Sequence, residues 1–339
     1  MAPPPPPPPP TGWGGQYRPA YKPGIVPLRP LSMGEIFDGS FQAIRTNPRT
    51  MIGFSAVVLT ITTLVSTVPQ ALLLQGLADN ALITSASSEP ELDDVLDLYS
   101  GLIGGSLIPA FITFLATTVL SALLVVAVSG AVLGDRIGPA QLWARTRGRV
   151  LAAIGLALLV SFALLAVLGV LLVPGILLLV ADQAVAGAVV LVLAVLVWIV
   201  AAIWLWASWS LAGPALLLEE QGVLASLRRS TRLVRGSWWR VFGILFLTQI
   251  IIGFGSAIVS VPFSLASAVV AALQENPYGS LGLTLVQLLV AGIGQVISGA
   301  VFLPFGAAVT ALLYTDLRMR REGLDVQLLR AVESNPPPR

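Results

Sequence analysis

The sequence lacks cysteine and histidine altogether. The absence of cysteine excludes disulfides and thiol catalysis, and the absence of both residues excludes the common zinc clusters and histidine general bases. Charged residues are scarce as well, at 11% of the 339 residues, so carboxylates, hydroxyls and arginines are the groups that remain for chemistry. We therefore predict a non-enzymatic protein with no catalytic residue, no metal site and no cofactor.

Apolar sequence is what the chain has in abundance. Hydrophobic residues make up 56% of it, and its mean hydropathy is +0.88, far above that of soluble domains. Apolar stretches long enough to cross a bilayer recur along the chain. The predicted fold class is all-α, a polytopic helical membrane protein with six transmembrane helices at about residues 51–75, 106–133, 150–180, 185–212, 241–270 and 283–314.

Both ends of the chain carry proline runs. Residues 1–30 are predicted to be a disordered tail, in which Pro3 to Pro10 adopt an extended polyproline II conformation. We favour a stiff spacer over a ligand for an aromatic-lined groove, because no charged residue flanks the run to set a docking orientation. Residues 31–329 are then the membrane domain, and residues 330–339 are a second disordered tail.

Basic residues are confined to four parts of the chain. All 19 lysines and arginines lie before the first span, after the last span, or in the connections 135–149 and 213–240. The positive-inside rule then places both termini in the cytoplasm, in a bacterial cytoplasmic (plasma) membrane. The loop at 76–101 carries only acidic charges, without the ligand spacing of a calcium loop, so we interpret it as a solvated face. Its acidic residues are Asp79, Glu89, Glu91, Asp93, Asp94 and Asp97.

The stretch 219–243 predicts a basic amphipathic helix that lies on the membrane surface. Its arginines occupy one side of a helical wheel and the other side is apolar, with Leu233 out of pattern. Trp238 and Trp239 follow at the level where aromatic rings anchor in the interface. The apolar side consists of Val223, Leu224, Leu227, Thr231 and Val234.

A second surface helix is predicted to begin at Ser32, and order in the chain begins there too. The residues Ser32-Met33-Gly34-Glu35 fit a capping box, and the helix ends near Pro48. Its apolar side is formed by Ile36, Phe37, Phe41 and Ile44.

Seven arginines at the predicted cytoplasmic face form what we name the arginine collar. We expect it to bind anionic lipid head groups, at about 1 kcal/mol for each basic residue near a charged leaflet. The alternative is that these arginines only set the topology of the chain. The collar consists of Arg45, Arg145, Arg147, Arg228, Arg229, Arg232 and Arg235.

Three segments of the chain resemble one another. Residues 41–53, 142–155 and 230–243 each read as an arginine-bearing amphipathic turn, a short break and a glycine just inside a span. They predict three repeats of a surface helix followed by two spans, arranged as a pseudo-threefold bundle with a central cavity. The alternative is that any cytoplasmic loop before a span has this appearance.

The predicted spans contain no ionisable residue at mid-depth, which weakens the case for ion-coupled or proton-coupled transport. Their polar residues are hydroxyls and glutamines, which we expect to act mainly as packing contacts between helices. These residues are Gln70, Thr113, Thr117, Thr118, Ser121, Thr248, Gln249, Ser256, Ser260, Gln287, Gln295 and Ser298.

Three motifs together resemble the glycerophosphoryl diester phosphodiesterase membrane domain family and its actinobacterial relatives of unknown function. The motifs are RPLSMGEIFDGSFQAIRTNPRTMIG, GPALLLEEQGVLASLRRSTRLVRGSWWRVFG and LLYTDLRMRREGLDVQLL, and the resemblance covers about residues 28–329. It implies a membrane fold and location. It does not carry over hydrolase activity, because the soluble phosphodiesterase barrel of the family's namesakes, with its histidines and metal-binding carboxylates, is absent here.

Three hypotheses of function follow. The first is a non-enzymatic membrane protein that handles lipids or other apolar molecules, or scaffolds envelope assembly. The second is a small-molecule facilitator or channel. The third, an intramembrane lipid phosphodiesterase using Glu219 and Glu220, is disfavoured because adjacent carboxylates on a helix point about 100° apart.

The partners expected are anionic membrane lipids at the cytoplasmic face, and a soluble protein at the proline-rich N-terminal or basic C-terminal tail. No nucleic acid is expected. A cavity lined by hydroxyls and glutamines favours a facilitator, whereas side grooves that open to lipid with arginines at the mouth favour lipid handling.

Overall fold

The computed structural model describes residues 24–27, 29–78, 92–132, 134–135, 137–273 and 281–323. Within these ranges the chain is helical apart from short connections. The α-helices of the described residues are α1 Met33–Thr46, α2 Phe54–Ala78, α3 Leu92–Val132, α4 Pro139–Thr146, α5 Val150–Val180, α6 Ala184–Trp209, α7 Ala212–Leu218, α8 Val223–Val234, α9 Trp238–Ala272 and α10 Leu281–Glu322.

The predicted fold class is confirmed, since six of the helical stretches among the described residues are long and apolar enough to cross a membrane. They are built on α2, α3, α5, α6, α9 and α10. The acidic loop is shorter than predicted, because α2 continues to Ala78 and α3 already begins at Leu92. The proline run, residues 79–91 of the acidic loop and the tail 330–339 lie outside the described residues.

Order begins earlier than the predicted start at Ser32. Ile25 and Val26 are buried in the core, and the Ile25 amide donates a hydrogen bond to the Ala131 carbonyl at the end of α3. The end of the stretch predicted as a disordered tail is therefore packed against the membrane domain. The reason is that Ile25 and Val26 are apolar residues that gain by leaving water.

The order of elements repeats three times, in agreement with the predicted repeat. In each unit a short amphipathic helix (α1, α4 or α8) precedes two long helices that pack on one another: α2 with α3, α5 with α6, and α9 with α10. The breaks between short and long helices are Arg49–Gly53, Arg147–Arg149 and the turn at 235–237. The units are not equivalent in packing, because α10 is largely buried against α1, α2, α3 and α9 while α5 and α6 are mostly exposed.

Helix α1 forms as predicted but packs on protein. The capping box is present, with the Ser32 hydroxyl accepting from the Glu35 amide and the Glu35 carboxylate accepting from the Ser32 amide. Ile36 is fully buried, and the ring of Phe41 lies 4.7 Å from that of Phe305 on α10. A Cβ at Gly39 would lie within 3 Å of side chains on both Val26 and α10, so a glycine is what permits this close approach.

Helix α8 buries Leu227 and Val234 and exposes Arg228, Arg232 and Arg235 as predicted, but the predicted face is wrong at two positions. Leu224, expected on the buried side, is exposed, while Leu233, which seemed out of pattern, is buried. Ser230 is also buried, accepting a hydrogen bond from the Leu211 amide and donating one to the Ser208 carbonyl. The buried face of α8 therefore rests on α6 and α7 rather than on acyl chains. A protein neighbour supplies hydrogen-bond partners to the buried Ser230, which acyl chains would not.

Candidate functional site

The described arginines collect at one end of the bundle, which we call the basic end. Short helices α1, α4 and α8 lie there, and contacts cross between them and their neighbours. The Asn47 side chain donates to the Ile137 carbonyl, and the Arg149 guanidinium donates to the Leu216 carbonyl. The structure thus brings the collar residues to the same end of the molecule.

Six collar members are exposed and one is not available to head groups. Arg229 is partly buried, with its guanidinium committed to Glu219 and Glu322. Its assignment to a head-group site is therefore corrected, because two carboxylates of the protein already occupy its donors. The exposed members are Arg45, Arg145, Arg147, Arg228, Arg232 and Arg235.

Glu219 is the centre of a group of polar side chains that we name the Glu219 cluster. Arg229 binds it in a bidentate manner, with Nε 2.9 Å from Oε2 and Nη2 2.8 Å from Oε1. The Tyr314 hydroxyl donates to Oε1, and the Arg318 Nε lies 3.4 Å from the same oxygen. Glu322 completes the cluster, bound by both Arg229 and Arg318. The cluster joins the end of α7 to α8 and α10.

The electrostatics of the cluster keep Glu219 ionised. Burial alone would raise the pKa of its carboxyl, but hydrogen bonds from Arg229 and Tyr314 and the positive charges of Arg229 and Arg318 outweigh burial and lower that pKa. A carboxylate held in this way is a structural anchor and not a general acid.

The shift predicts how stability depends on pH. Because the folded pKa of Glu219 lies below its ordinary value, its contribution to stability is present at neutral pH and is lost as the pH falls through the folded pKa. We expect the melting temperature in detergent to decrease as the pH is lowered below about 4.5, the ordinary glutamate pKa. Glu219→Gln should flatten that fall, with Glu220→Gln as the control, and an equally steep fall in Glu219→Gln would contradict this assignment.

Asp316 organises a second buried group, the Asp316 cluster. It is fully buried on α10, and its Oδ1 accepts from the Leu31 amide at 2.7 Å and from the Arg320 Nε at 2.9 Å. Arg240 of α9 donates to its Oδ2, and the guanidiniums of Arg240 and Arg320 both donate to the Leu31 carbonyl. Sequence reasoning missed this cluster. The spacing of Asp316 and Arg320, one helical turn apart, was the available signal.

Glu219 and Glu220 do not form a catalytic pair in this arrangement. Glu220 has a φ of 55°, in the left-handed region, and its side chain is 75% exposed. It pairs with Arg149, whose Nη2 lies 3.1 Å from its Oε2, while Glu219 is held by the cluster. The two carboxylates have different partners and different environments, so the geometry offers no site where they would act on one substrate.

A cavity of about 750 Å³ lies between the long helices. Helices α2, α3, α9 and α10 form its walls, and α7 closes it at the basic end through Gly213, Pro214 and Leu217. No charged side chain is among the described residues that line it. Most of the span hydroxyls and glutamines that were expected to be packing contacts instead face this cavity: Thr113, Thr117, Thr118, Ser121, Thr248, Gln249, Ser256, Gln295 and Ser298.

The wall of the cavity is incomplete on the side of α5. That helix contributes lining residues only near its start, at Ala153, Leu156 and Ala157. Farther along, Phe162 of α5 and Phe254 of α9 are each 71% exposed, and in the described part of the chain α5 and α9 scarcely touch. We infer a side opening between α5 and α9, at the depth of the apolar spans and away from the exposed collar arginines.

The six membrane-length helices of the described residues define a multi-pass helical membrane protein. The chain belongs to the family described as domain of unknown function (DUF7847), whose model matches residues 39–317. It matches no curated protein and no solved structure. The family match does not link the chain to the glycerophosphoryl diester phosphodiesterase membrane domain, so that resemblance stays a prediction.

Proposed function

We propose that this protein is a non-catalytic membrane protein that binds lipid-like amphipathic molecules in its central cavity. The observation that carries the proposal is the cavity itself: large, uncharged, lined by both hydroxyls and apolar side chains, and incomplete between α5 and α9. An amphipathic molecule would enter sideways from the bilayer, because that opening lies among apolar helices.

The chemistry of the lining limits what can enter. Hydroxyls such as Thr117 and Thr248 share the surface with apolar side chains such as Leu59, Phe114 and Leu303. A bound ion would lose its hydration without gaining a counter-charge, which is costly at membrane depth. A molecule with a neutral polar part and an apolar part would satisfy both kinds of surface.

A facilitator for small uncharged molecules is the second candidate, and the lining of the cavity favours it. Hydroxyls and glutamines line the cavity, as expected for a facilitator, and no arginine is among the described lining residues. Entry from water rather than from lipid would distinguish this candidate from the first.

Native mass spectrometry of the purified protein tests the proposal. Ala157→Trp fills the cavity from α5 without removing a hydrogen bond, and Ala188→Trp adds the same side chain at an exposed position on α6. We expect bound lipid-like molecules to co-purify with the wild type and with Ala188→Trp, and to be reduced several-fold in Ala157→Trp. Equal retention by all three proteins would contradict binding in the cavity.

We also propose that the exposed collar arginines bind anionic head groups on the cytoplasmic face. Replacing Arg228, Arg232 and Arg235 with glutamine should weaken binding to vesicle-derived anionic phospholipid by roughly tenfold or more, at about 1 kcal/mol for each charge. Native mass spectra measure how much anionic and how much zwitterionic phospholipid each protein retains, and the zwitterionic phospholipid serves as the matched control. If the triple variant retains anionic phospholipid as the wild type does, these arginines set topology only.

A further inference from the structure

Many of the hydroxyls that line the cavity are already engaged as hydrogen-bond donors. Several donate their only proton to a backbone carbonyl in the preceding turn of their own helix, a common arrangement for serine and threonine in apolar helices. A carbonyl oxygen can only accept, so the hydroxyl is the donor in each of these hydrogen bonds. They include Thr62, Ser66, Thr117, Thr248, Ser298 and Thr310, with oxygen–oxygen distances from 2.7 to 3.1 Å.

A hydroxyl that has given its proton to the backbone still has lone pairs and becomes an acceptor for anything else. The structure contains one example at the cavity. The Ser298 hydroxyl donates to the Gln295 carbonyl and at the same time accepts from the Ser260 hydroxyl at 3.3 Å. The committed hydroxyls therefore present acceptors, and not donors, toward the space they line.

The cavity also has donors, but acceptors outnumber them. Gln249 and Gln295 each offer an amide with both donors and an acceptor, and other lining hydroxyls such as Thr118 and Ser121 can act either way. Arginine, lysine and tryptophan, the pure donors among side chains, are absent from the described lining. The cavity as a whole is rich in hydrogen-bond acceptors.

We propose that the ligand of the cavity is a neutral amphipathic molecule whose polar end carries several hydroxyl donors, in the manner of a polyol head group. Donors on the ligand would pair with Thr62, Thr117, Thr248 and their neighbours. A cationic amine also donates, but it would enter with no carboxylate in the described lining to meet its charge. This inference rests on the proposed binding function and adds the chemical class of the ligand.

The test compares two probes of the same chain length, one with hydroxyl donors and one in which each hydroxyl is methylated. Dodecyl glycerol ether has two hydroxyls, and its dimethyl ether keeps the chain and the oxygens but has none. Equilibrium binding of the radiolabelled compounds to the full-length protein in detergent gives the two dissociation constants. We expect the hydroxyl compound to bind about tenfold more tightly, because two hydrogen bonds of ordinary net strength together contribute roughly that factor.

Two variants show where the preference arises. In Thr117→Val/Thr248→Val two acceptors are lost with little change of shape, and the preference should shrink several-fold. In Ala157→Trp, with Ala188→Trp as the control, binding of both compounds should weaken. Melting temperatures of all variants report whether each is folded, and the isosteric valine variant remains informative if the tryptophan variant is not.

The outcomes separate this inference from the proposed function. Equal affinity for the two probes, with both weakened by Ala157→Trp, would overturn the donor preference and leave cavity binding in place. A preference that persists in Thr117→Val/Thr248→Val, or tighter binding of the dimethyl ether, would also overturn it. Failure of the wild type to bind either probe would overturn the proposed function itself.

Discussion

Asp316→Ala is expected to be the most destabilising single substitution at the basic end, lowering the free energy of unfolding by about 3–5 kcal/mol. The carboxylate is fully buried and accepts from two guanidiniums and one backbone amide. Its removal leaves Arg240 and Arg320 without their counter-charge and the Leu31 amide without an acceptor. The loss should lie at the lower end of this range, because Arg240 and Arg320 are 31% and 39% exposed and solvent screens their charges. The part that solvent does not relieve is the buried Leu31 amide left without its acceptor.

Unfolding of the purified protein by a denaturing detergent, followed by tryptophan fluorescence, measures this effect. Glu220→Ala is the matched control, since it removes an exposed carboxylate at the same end and should change stability by less than about 1 kcal/mol. Asp316→Asn keeps the shape and one acceptor and should fall between the two. If Asp316→Ala and Glu220→Ala have the same stability, the Asp316 cluster does not hold the N-terminal segment, α9 and α10 together.

Arg229→Gln is expected to have the second largest effect, and its neighbour in the sequence provides the control. Arg229 makes charge-assisted hydrogen bonds to Glu219 and Glu322, whereas Arg228 is exposed on the same helix. We expect Arg229→Gln to lose about 2–3 kcal/mol, because hydrogen bonds to charged groups are among the stronger ones. Glu219 would keep Tyr314 and Arg318 as partners, and Glu322 would keep Arg318. Arg228→Gln should lose less than about 0.5 kcal/mol.

The same substitution should also loosen the closed end of the cavity. Glu219 caps α7, so release of Glu219 frees the helix that closes the cavity at the basic end. The chain has no natural cysteine, and Ser210→Cys would place a single thiol on the cavity wall beside α7. Its labelling by a water-soluble maleimide should be faster in Arg229→Gln than in Arg228→Gln. Equal rates in the two backgrounds would show that the Glu219 cluster does not hold α7 in place.

Features that depend on local sequence were predicted correctly. Six spans follow from hydropathy within windows of about 20 residues, and the capping box at Ser32 follows from four adjacent residues. The repeated order of short helix, break and two long helices could be read from three short segments, because each signal lies within a dozen residues or so. These features do not depend on how the helices pack against one another.

Features that depend on which helices become neighbours were missed. Asp316 meets Leu31 and Arg240 across large separations in sequence, and no local pattern pairs them. Arg228 and Arg229 are adjacent and chemically identical, yet only Arg229 faces Glu219. The prediction for α8 missed that protein and not lipid covers its buried face, because hydropathy does not distinguish acyl chains from a protein interior. Helices α6 and α7 cover it and also accommodate the hydrogen-bonded Ser230.

The cavity could not be located from the sequence for the same reason. The hydroxyls and glutamines of the spans were visible in the sequence. Their joint arrangement around one space depends on α10 packing against α2, α3 and α9 while α5 and α6 pack mainly on each other. A threonine that contacts a neighbouring helix and a threonine that faces a cavity have the same local sequence signature.

Photo-cross-linking with a phospholipid that carries a diazirine in its acyl chain tests the central claim most directly. The protein is reconstituted with this lipid, irradiated and digested, and the labelled residues are identified by mass spectrometry. The account predicts adducts on inward-facing residues of α3 and α9, such as Ser121 and Thr248, and their loss in Ala157→Trp but not in Ala188→Trp. Adducts confined to outward-facing residues such as Phe254 and Val170, unchanged in both variants, would contradict it.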